Sequence, residues 1–493
     1  MIKAIKRLFT RPTSQVTAGR KFEAGESSRH SETYWLNASA GSIDALLVNK
    51  LEKLRNKARY VARNNSYAAG IVDTLANDTI GPGPRLQLET GQTARDSEIE
   101  DRFTAWAEDS SSIDLMRAQN LGEMLQGTIK GFISAGEDFY SQVVEDGGYK
   151  LQRIEPERIA TPYGQSLSSK LIMGVEKDTQ GRPTAYYISR MNPGASAAGL
   201  LNQYDRIPAE QILHLYRLDQ AGQSRGVPWI APALERFADY AQYNRAVIKA
   251  AEMAANISAI TTGEDADSLT SYTTAADIPE FDIPINSILR MPGEQTITQL
   301  KAEQPTTTYT DFVRAIINEI ARCLNMPLNI ALANSSQYNY ASGRLDHQVY
   351  WKFLDVIRSY LERHLLNPIF KRWLLAESFR LPAGVALSQV KTTWYWPGRT
   401  HVDPAKEANA QETKLQNGTA TLADIWAEQG HDWRRKIDQL AEIADYAKSK
   451  GVTLLGGERE QAQPAAAIEP EGQPDNGESD NGEQEAAQTQ SST

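Results

Sequence analysis

Between Ile43 and Thr79 apolar residues return every three or four positions: Leu47, Leu51, Leu54, Ala58, Val61 and Ala62, then Ile71, Val72 and Leu75 beyond Asn64-Asn65. That period lines one face of an α-helix and predicts helical structure across the segment. IGPGPR (80–85) ends it, because two prolines and two glycines cannot continue a helix. A second helical region covers about 96–134. The pattern then shortens to strand-like runs: DFYSQVVE (138–145), YKLQRI (149–154), KLIMGVEKD (170–178), TAYYISR (184–190) and QILHLYR (211–217). Asp146-Gly147-Gly148 and Gly181-Arg182-Pro183 supply turns between them. An antiparallel sheet packed on helices, an α+β unit, is the fold these runs predict.

Helical spacing resumes at 231–257, with Ala233, Phe237, Ala241 and Ile248 near one face and Ala246, Ala250, Ala251 and Ala254 keeping the helix slim. Residues 258–305 are acidic, rich in Thr and broken by Pro279, Pro284, Pro292 and Pro305, which marks a small separate lobe. In YTDFVRAIINEIARCL (309–324), Phe312, Ile316, Ile320 and Cys323/Leu324 form an apolar stripe. Arg314, Asn318 and Arg322 form a polar one at i, i+4 and i+8. The polar, aromatic loop NSSQYNYASGR (334–344) leads into a long helix over 343–376, with a kink expected at Asn367-Pro368. VKTTWYWPG (390–398) reads as a strand, and 402–433 as two short helices, the second capped by Thr421 with Asp424. The whole is mainly helical, with one β-rich section.

Charge changes the picture at the two ends. Residues 458–493 hold nine acids against Arg459, so of the chain's net −10 only −2 belongs to residues 1–457. Residues 1–30 carry seven Lys or Arg against two Glu. Both ends, 1–42 and 457–493, have little to bury and read as disordered, a basic arm and an acidic tail. A near-neutral body gives no support for broad nucleic-acid binding. The single cysteine, Cys323, excludes an internal disulfide framework and a cysteine-rich metal site. No run of about 18 apolar residues is present to span a membrane, and MIKAIKRLFTRP lacks the apolar stretch of a secretory signal.

Candidate chemistry is sparse. GQSRG (222–226) fits G-x-S-x-G around Ser224, but a nucleophile elbow needs the serine on a sharp strand-to-helix turn. Here Leu218-Asp219-Gln220-Ala221 and Val227-Pro228 intervene, so a surface loop competes with a serine hydrolase reading. The six histidines, His30, His214, His347, His364, His401 and His431, show no metal-binding spacing. No phosphate-binding loop is present. The acidic turn GEDAD, with Glu264, Asp265 and Asp267, reads as solvated rather than as a cation site, and TWYWPG as core or interface rather than a base-stacking surface. No catalytic constellation, cofactor or metal site assembles, and the chain reads as non-enzymatic.

Several segments together resemble the lambda-type family of tailed-phage portal proteins: ARYVARNNSYAAGIVDTLANDTIGPGPRLQ (58–87), AGEDFY (135–140), LQRIEPERI (151–159), GVEKDTQGRPTAYYI (174–188), IPAEQILHLYRLDQAGQSRGVPWIAPALERFADY (207–240), YTDFVRAIINEIARCLNMP (309–327), NYASGR (339–344) and DPAKEANA (403–410). They fall in order over roughly 43–445. The resemblance implies a homo-oligomeric ring, of 12 subunits in that family, at one capsid vertex, through which double-stranded DNA is packaged and ejected. It implies docking to the terminase large subunit and then to head-completion and tail connector proteins, with major capsid and scaffold proteins around it. Location in the virion, and in the host cytoplasm during assembly, goes with this, and no membrane is involved.

By order along the chain the resemblance places a wing at 43–228, stem helices at 229–257 and 306–330, and a clip at 258–305 whose Glu264, Asp265 and Asp267 would meet docking partners. A tunnel loop would cover 331–342, a long helix returning to the wing 343–401, and a crown 402–456. Asn334, Ser335, Ser336, Gln337, Tyr338, Asn339 and Tyr340, with Arg344 opening the next helix, would line the DNA channel. Arg314, Asn318 and Arg322 would form a polar stem stripe. A structural adaptor without a channel, and a serine hydrolase using Ser224, are the alternatives.

Overall fold

The computed structural model describes residues 41–145, 148–163, 165, 170–190, 203–255, 259–262, 296–299, 308–336, 338–377, 390–399 and 404–452. The basic arm up to residue 40, the acidic tail, most of the Pro-broken lobe with Glu264, Asp265 and Asp267, and Gln337 lie outside the described residues, as do His30 and His401. The chain divides into two units, residues 1–432 and 433–493. The fold is mixed α+β and mainly helical.

In the first unit the expected opening helix is three: α1 (Ile43–Leu47), α2 (Leu51–Asn64) and α3 (Ser66–Ile80). Asn65 breaks the last two apart. Its extended backbone cannot continue α2, while its side chain accepts the Ala68 N–H at 3.1 Å and caps α3. Gly81, at φ 56°, then ends α3 in a conformation that disfavours any side chain. The second helical region is likewise split, into α4 (Thr93–Glu108), α5 (Ser110–Ile113) and α6 (Leu121–Ser134). Asn120 and Glu123 form a reciprocal capping box that starts α6.

The strands are antiparallel throughout. β2 (Glu137–Glu145) lies between β3 (Gly148–Ile154) and β8 (Ile212–Tyr216), with Phe139 opposite both Ile154 and His214. A four-stranded sheet runs in order through β4 (Leu171–Ile172), β5 (Val175–Lys177), β6 (Pro183–Ser189) and β7 (Tyr204–Pro208). The single strand expected at 170–178 is thus a tight hairpin, turned at Met173 (φ 48°) and Gly174 (φ 83°). A Cβ on Gly174 would stand 2.6 Å from the Ala160 nitrogen, so no larger residue fits the turn. β1 (Arg85–Glu89) pairs with β11 (Lys391–Tyr395), placing Leu86 opposite Trp394.

The long slim helix, α7, runs from Leu234 to Ala255. Within 258–305, β9 (Ala259–Thr262) pairs with β10 (Thr296–Gln299). α8 (Thr308–Arg322) buries Val313, Ile316, Ile317, Ile320 and Ala321, and Leu324 is buried just beyond its end. Ile316, Ile320 and Leu324 of the expected stripe are buried, and Phe312 alone leaves it, exposed and packed onto Tyr243 with ring centroids 4.2 Å apart. After α9 (Leu328–Leu332) comes α10 (Tyr340–Leu361), then a π-helical turn at Glu362–Leu366 and α11 (Asn367–Ala376). The irregularity expected at Asn367-Pro368 therefore falls just before it, where an extra residue per turn frees the carbonyl that proline cannot use. α12 (Pro404–Gln416) and α13 (Leu422–Glu428) follow, the latter capped by Thr421 and Asp424 as expected.

One large core joins these helices to the β2–β3 face, with Phe103 packed edge-on against Phe370, Trp373 and Trp394. A smaller core under the four-stranded sheet gathers Phe139, Ile154, Ile159, Val175, Tyr186, Ile188 and Ile212. Trp394 and Trp396 of TWYWPG are buried, the core reading of that motif. The second unit is described through one helix, α14 (Trp433–Ser449). Among the described residues no helix is long and apolar enough to cross a membrane, and no group of three or more His, Cys, Asp or Glu is arranged to hold a metal ion.

Candidate functional site

The loop between α9 and α10 is shorter than 331–342, because α9 continues through Leu332 and α10 starts at Tyr340. Ala333 makes the turn in the left-handed region (φ 50°), donating its N–H to Asn329 and Ile330 carbonyls. Asn334 donates its own N–H to the Asn329 carbonyl at 3.0 Å and accepts the Ser336 N–H on its side chain at 2.9 Å. Asn339 accepts the Ser342 N–H at 2.8 Å and caps α10. Both asparagines therefore hold the loop's own backbone. Ser335 and Ser336 are exposed and Tyr338 half-buried. Arg344 stands exposed in the first turns of α10. The side chain of Tyr340 is outside what the structure describes.

Of the stem stripe, Arg314 is half-buried and Asn318 and Arg322 are exposed on α8. Arg322 donates to Asn325 at 2.9 Å, and the neighbouring Glu319 pairs with Arg236 of α7 at 2.8 Å. Beside the loop a groove of about 960 Å³ runs past Tyr338, Arg344, His347, Trp351 and Arg399. Its wall is tied to the core by Arg358, which donates to the Thr79 and Asp78 carbonyls at 2.8 and 3.2 Å and stacks over Trp396. A cation on those last carbonyls also suits the negative end of α3. Arg399, over the Trp351 ring at 5.1 Å, pairs with Asp355.

The strongest electrostatic feature lies elsewhere and was not singled out from the sequence. Glu137, fully buried at the start of β2, accepts from Arg225 (2.6 and 2.8 Å), from His214 (3.1 Å), from the Gly226 N–H (2.7 Å) and from Arg55 of α2. Burial opposes its ionisation, but the adjoining Arg225 and Arg55 guanidinium groups hold its carboxyl well below the usual range. Burial pulls His214 below its ordinary value, and the bond to Glu137 only partly offsets that. Arg225 also reaches the Ile159 and Pro156 carbonyls, each at 2.8 Å. Three segments of the chain are thereby tied to one carboxylate.

Ser224 belongs to this knot. It is 2% exposed, its N–H is held by Asp44 at 2.8 Å, and its hydroxyl donates to the same carboxylate at 2.5 Å. A hydroxyl donated to a buried aspartate, with no histidine bonded to it, is not an activated nucleophile. The G-x-S-x-G match has a packing explanation instead. A Cβ on Gly226 would stand 2.1 Å from the Gly136 carbonyl oxygen, and one on Gly136 would stand 2.2 Å from the Val227 carbonyl carbon. AGEDFY and QSRG thus interlock backbone to backbone. Their signal in the sequence was charge placed inside apolar runs, Glu137-Asp138 before Phe139 and Arg225 before Val227-Pro228-Trp229.

The family model for phage portal proteins of the lambda family matches residues 29–358. The chain is 24% identical to the probable portal protein of Halomonas phage phiHAP-1, over 93% of each sequence. It is 22% identical to portal protein B of Escherichia phage lambda, covering 82% of this chain and 85% of that one. Among solved structures it is similar to a chain in the neck of a native gene transfer agent particle computed with C12 symmetry, at 13% identity and a TM-score of 0.45, over 76% of this chain and 90% of that one. With two thirds of its length inside the family model and near full-length similarity to portal proteins of two phages, the chain belongs to the lambda family of phage portal proteins.

Proposed function

We propose that this portal protein assembles as a closed ring, of 12 copies as expected for the family, at one vertex of the capsid, and that double-stranded DNA enters and leaves through its centre. Family membership supports the role, and the observation that carries the ring is the outer half of α7. Between Ala241 and Glu252 no residue is buried, and Ile248 is 56% exposed. Apart from Tyr243 and Asn244, which meet Tyr309 and Phe312 of α8, this half has no buried face among the described residues. A helix so little packed is stable in water only when something covers it. α10 carries a second uncovered line, Leu345, Val349 and Val356, each about three-fifths exposed. Two uncovered faces on different elements suit a heterologous interface, which closes on itself in a ring.

In this reading 43–228 form the wing, 229–257 and 306–330 the stem, 258–305 the clip and 402–456 the crown. Segment 343–401 returns to the wing. The clip, with Glu264, Asp265 and Asp267, meets the terminase large subunit during packaging and head-completion or tail connector proteins afterwards. Capsid and scaffold proteins surround the wing. The protein acts in the virion after assembling in the host cytoplasm.

The loop at 333–339 lines the channel. Its two asparagines are committed to the backbone, so Ser335, Ser336 and Tyr338 are what it offers to DNA, together with Arg344 behind it. Neutral hydrogen-bonding groups touch phosphates without the counterion release that makes lysine-rich surfaces hold DNA. Arg314, Asn318 and Arg322 continue this modest polarity along the stem. Deleting 335–338 is expected to leave rings intact in negative-stain images and to impair DNA packaging or retention. Unchanged packaging and retention would refute the channel role of the loop, and the absence of rings from the unaltered protein would refute the ring itself.

A further inference from the structure

The β1–β11 pair has two different outer edges. Leu88 of β1 donates its N–H not across the sheet but to Glu100 Oε1 of α4, at 2.7 Å. In an antiparallel ladder, opposed residues either exchange both main-chain bonds or exchange neither, and the two kinds alternate. Leu88 stands opposite Thr392 and Leu86 opposite Trp394, so both are pairs without main-chain bonds. Thr392 and Trp394 therefore turn their N–H and C=O groups away from β1. No hydrogen bond meets those groups among the described residues. The edge of β1 is met by α4, and the edge of β11 is open.

That edge opens into the groove of about 960 Å³ beside α10, which Thr393, Trp394, Tyr395, Trp396 and Pro397 all line. A groove over one face of a strand meets every second residue, so an unbroken succession marks a groove along the edge. Asn329 lines it too and is 5% exposed. Its Nδ2 lies 3.3 Å from His347 Nε2, while its Oδ1 is buried without a partner. An open strand edge and a buried acceptor without a donor, on one groove, are what an extended chain would satisfy.

We infer that residues 33–37 of this chain lie along β11 in this groove as a third strand. Thr33-Tyr34-Trp35-Leu36 is the longest run of apolar and strand-favouring residues within 1–40, the stretch before the described chain begins. The family model starts at residue 29, so it takes in this run and leaves out 1–28. Aromatic and β-branched side chains pair favourably across neighbouring strands, and TYWL would meet TTWYW (392–396) with both kinds. Residues 453–493 hold no aromatic residue and supply no such pairs. Trp35 also brings a donor, its indole N–H, to a groove where Asn329 Oδ1 lacks one. Contacts lead from α1 towards the site. Asp44 holds Ser224, the adjoining Gln223 accepts from Tyr216, and Tyr216 is bonded to Tyr360, next to Ser359 in the groove wall. Residues 38–42 join the run to α1, a reach of about 20 Å. The site lies within one copy and needs no ring.

The test uses the full-length chain carrying Cys323→Ser with Leu36→Cys and Thr393→Cys, treated with a short bifunctional thiol cross-linker. A link within one chain is expected, at monomer size on a denaturing gel and with the two peptides joined in the mass spectrum. Val16→Cys in place of Leu36→Cys is expected to give none. In the otherwise unaltered chain, Trp35→Pro removes a main-chain donor and breaks strand pairing. It should speed amide exchange over 391–395 about tenfold, as the loss of one or two hydrogen bonds implies. Exchange in β6 should stay as it was, which checks that the fold is intact. No link within the chain, or an equal one from Val16→Cys, would overturn the assignment. A link at dimer size would overturn it in favour of a second copy. Unchanged exchange over 391–395 after Trp35→Pro would overturn it in favour of a strand from another protein.

Discussion

Two polar regions of this molecule are built on opposite terms. Around Glu137 every polar atom is out of water and committed: four donors converge on one carboxylate, and Arg225 is 2% exposed. In the loop at 333–339 the asparagines satisfy their own backbone locally, and the serines remain in solvent. The first arrangement fixes this part of the fold because removing the acid or an arginine strands a charge in a medium that cannot solvate it. The second can change shape at little cost, since water replaces each bond that opens. Polar residues of this chain therefore divide into those that hold a scaffold and those that a rigid scaffold presents.

The sharpest way to break this comparison is at Glu137. Replacing it by alanine leaves Arg55 and Arg225 buried without their acid, and a loss of about 3–5 kcal/mol is expected from the denaturant midpoint of tryptophan fluorescence. A loss below about 1 kcal/mol would mean that water reaches the arginines and that the two regions differ less than their burial implies.

A smaller effect tests the same knot through pH. His214 has its value lowered on folding, so the stability it contributes is complete above its unfolded value, near 6.5, and fades as pH falls below that. Glu137 is also lowered, so its share persists to about pH 4.5 and is lost only in stronger acid. Unfolding measured from pH 8 down to 5 should show stability level at first and declining below about 6.5. His214→Gln should flatten that decline, and an unchanged slope would assign it to other groups.

The smallest effect belongs to the loop. Asn339→Ala removes the cap of α10 and should cost about 1 kcal/mol. Among the described side chains of α10 the first buried one is Tyr350, so the loss should appear as faster hydrogen exchange near residues 341–344, without a shift in the main unfolding transition. A shift in that transition would show that the loop is part of the cooperative fold after all.

Much of the architecture was legible because it is local. Helical spacing from Ile43, the stop at IGPGPR, the cap at Thr421-Asp424 and the extended character of the runs between 138 and 217 each depend on neighbours a few residues away. The misplacements arose where a distant contact overrode the local pattern. Phe312 left its stripe for Tyr243 on another helix, and the run at 170–178 folded into a hairpin against Ala160. Candidate loop residues were found by composition, but composition could not reveal that Asn334 and Asn339 are spent on the backbone.

What the sequence determined by itself was the mixed α+β class, the order of elements, the charged ends and, through the ordered resemblance, the portal family. Those rest on periodicity, turn chemistry and shared motifs, which are short-range properties of a chain. Tertiary structure alone decided the fate of GQSRG and AGEDFY. Ser224 is separated from Asp44 by 180 residues and Arg225 from Glu137 by 88, yet each pair is in hydrogen-bond contact. Whether a serine is a nucleophile or a strut depends on which side chain lies across from it, and the fold of the whole unit sets that partner.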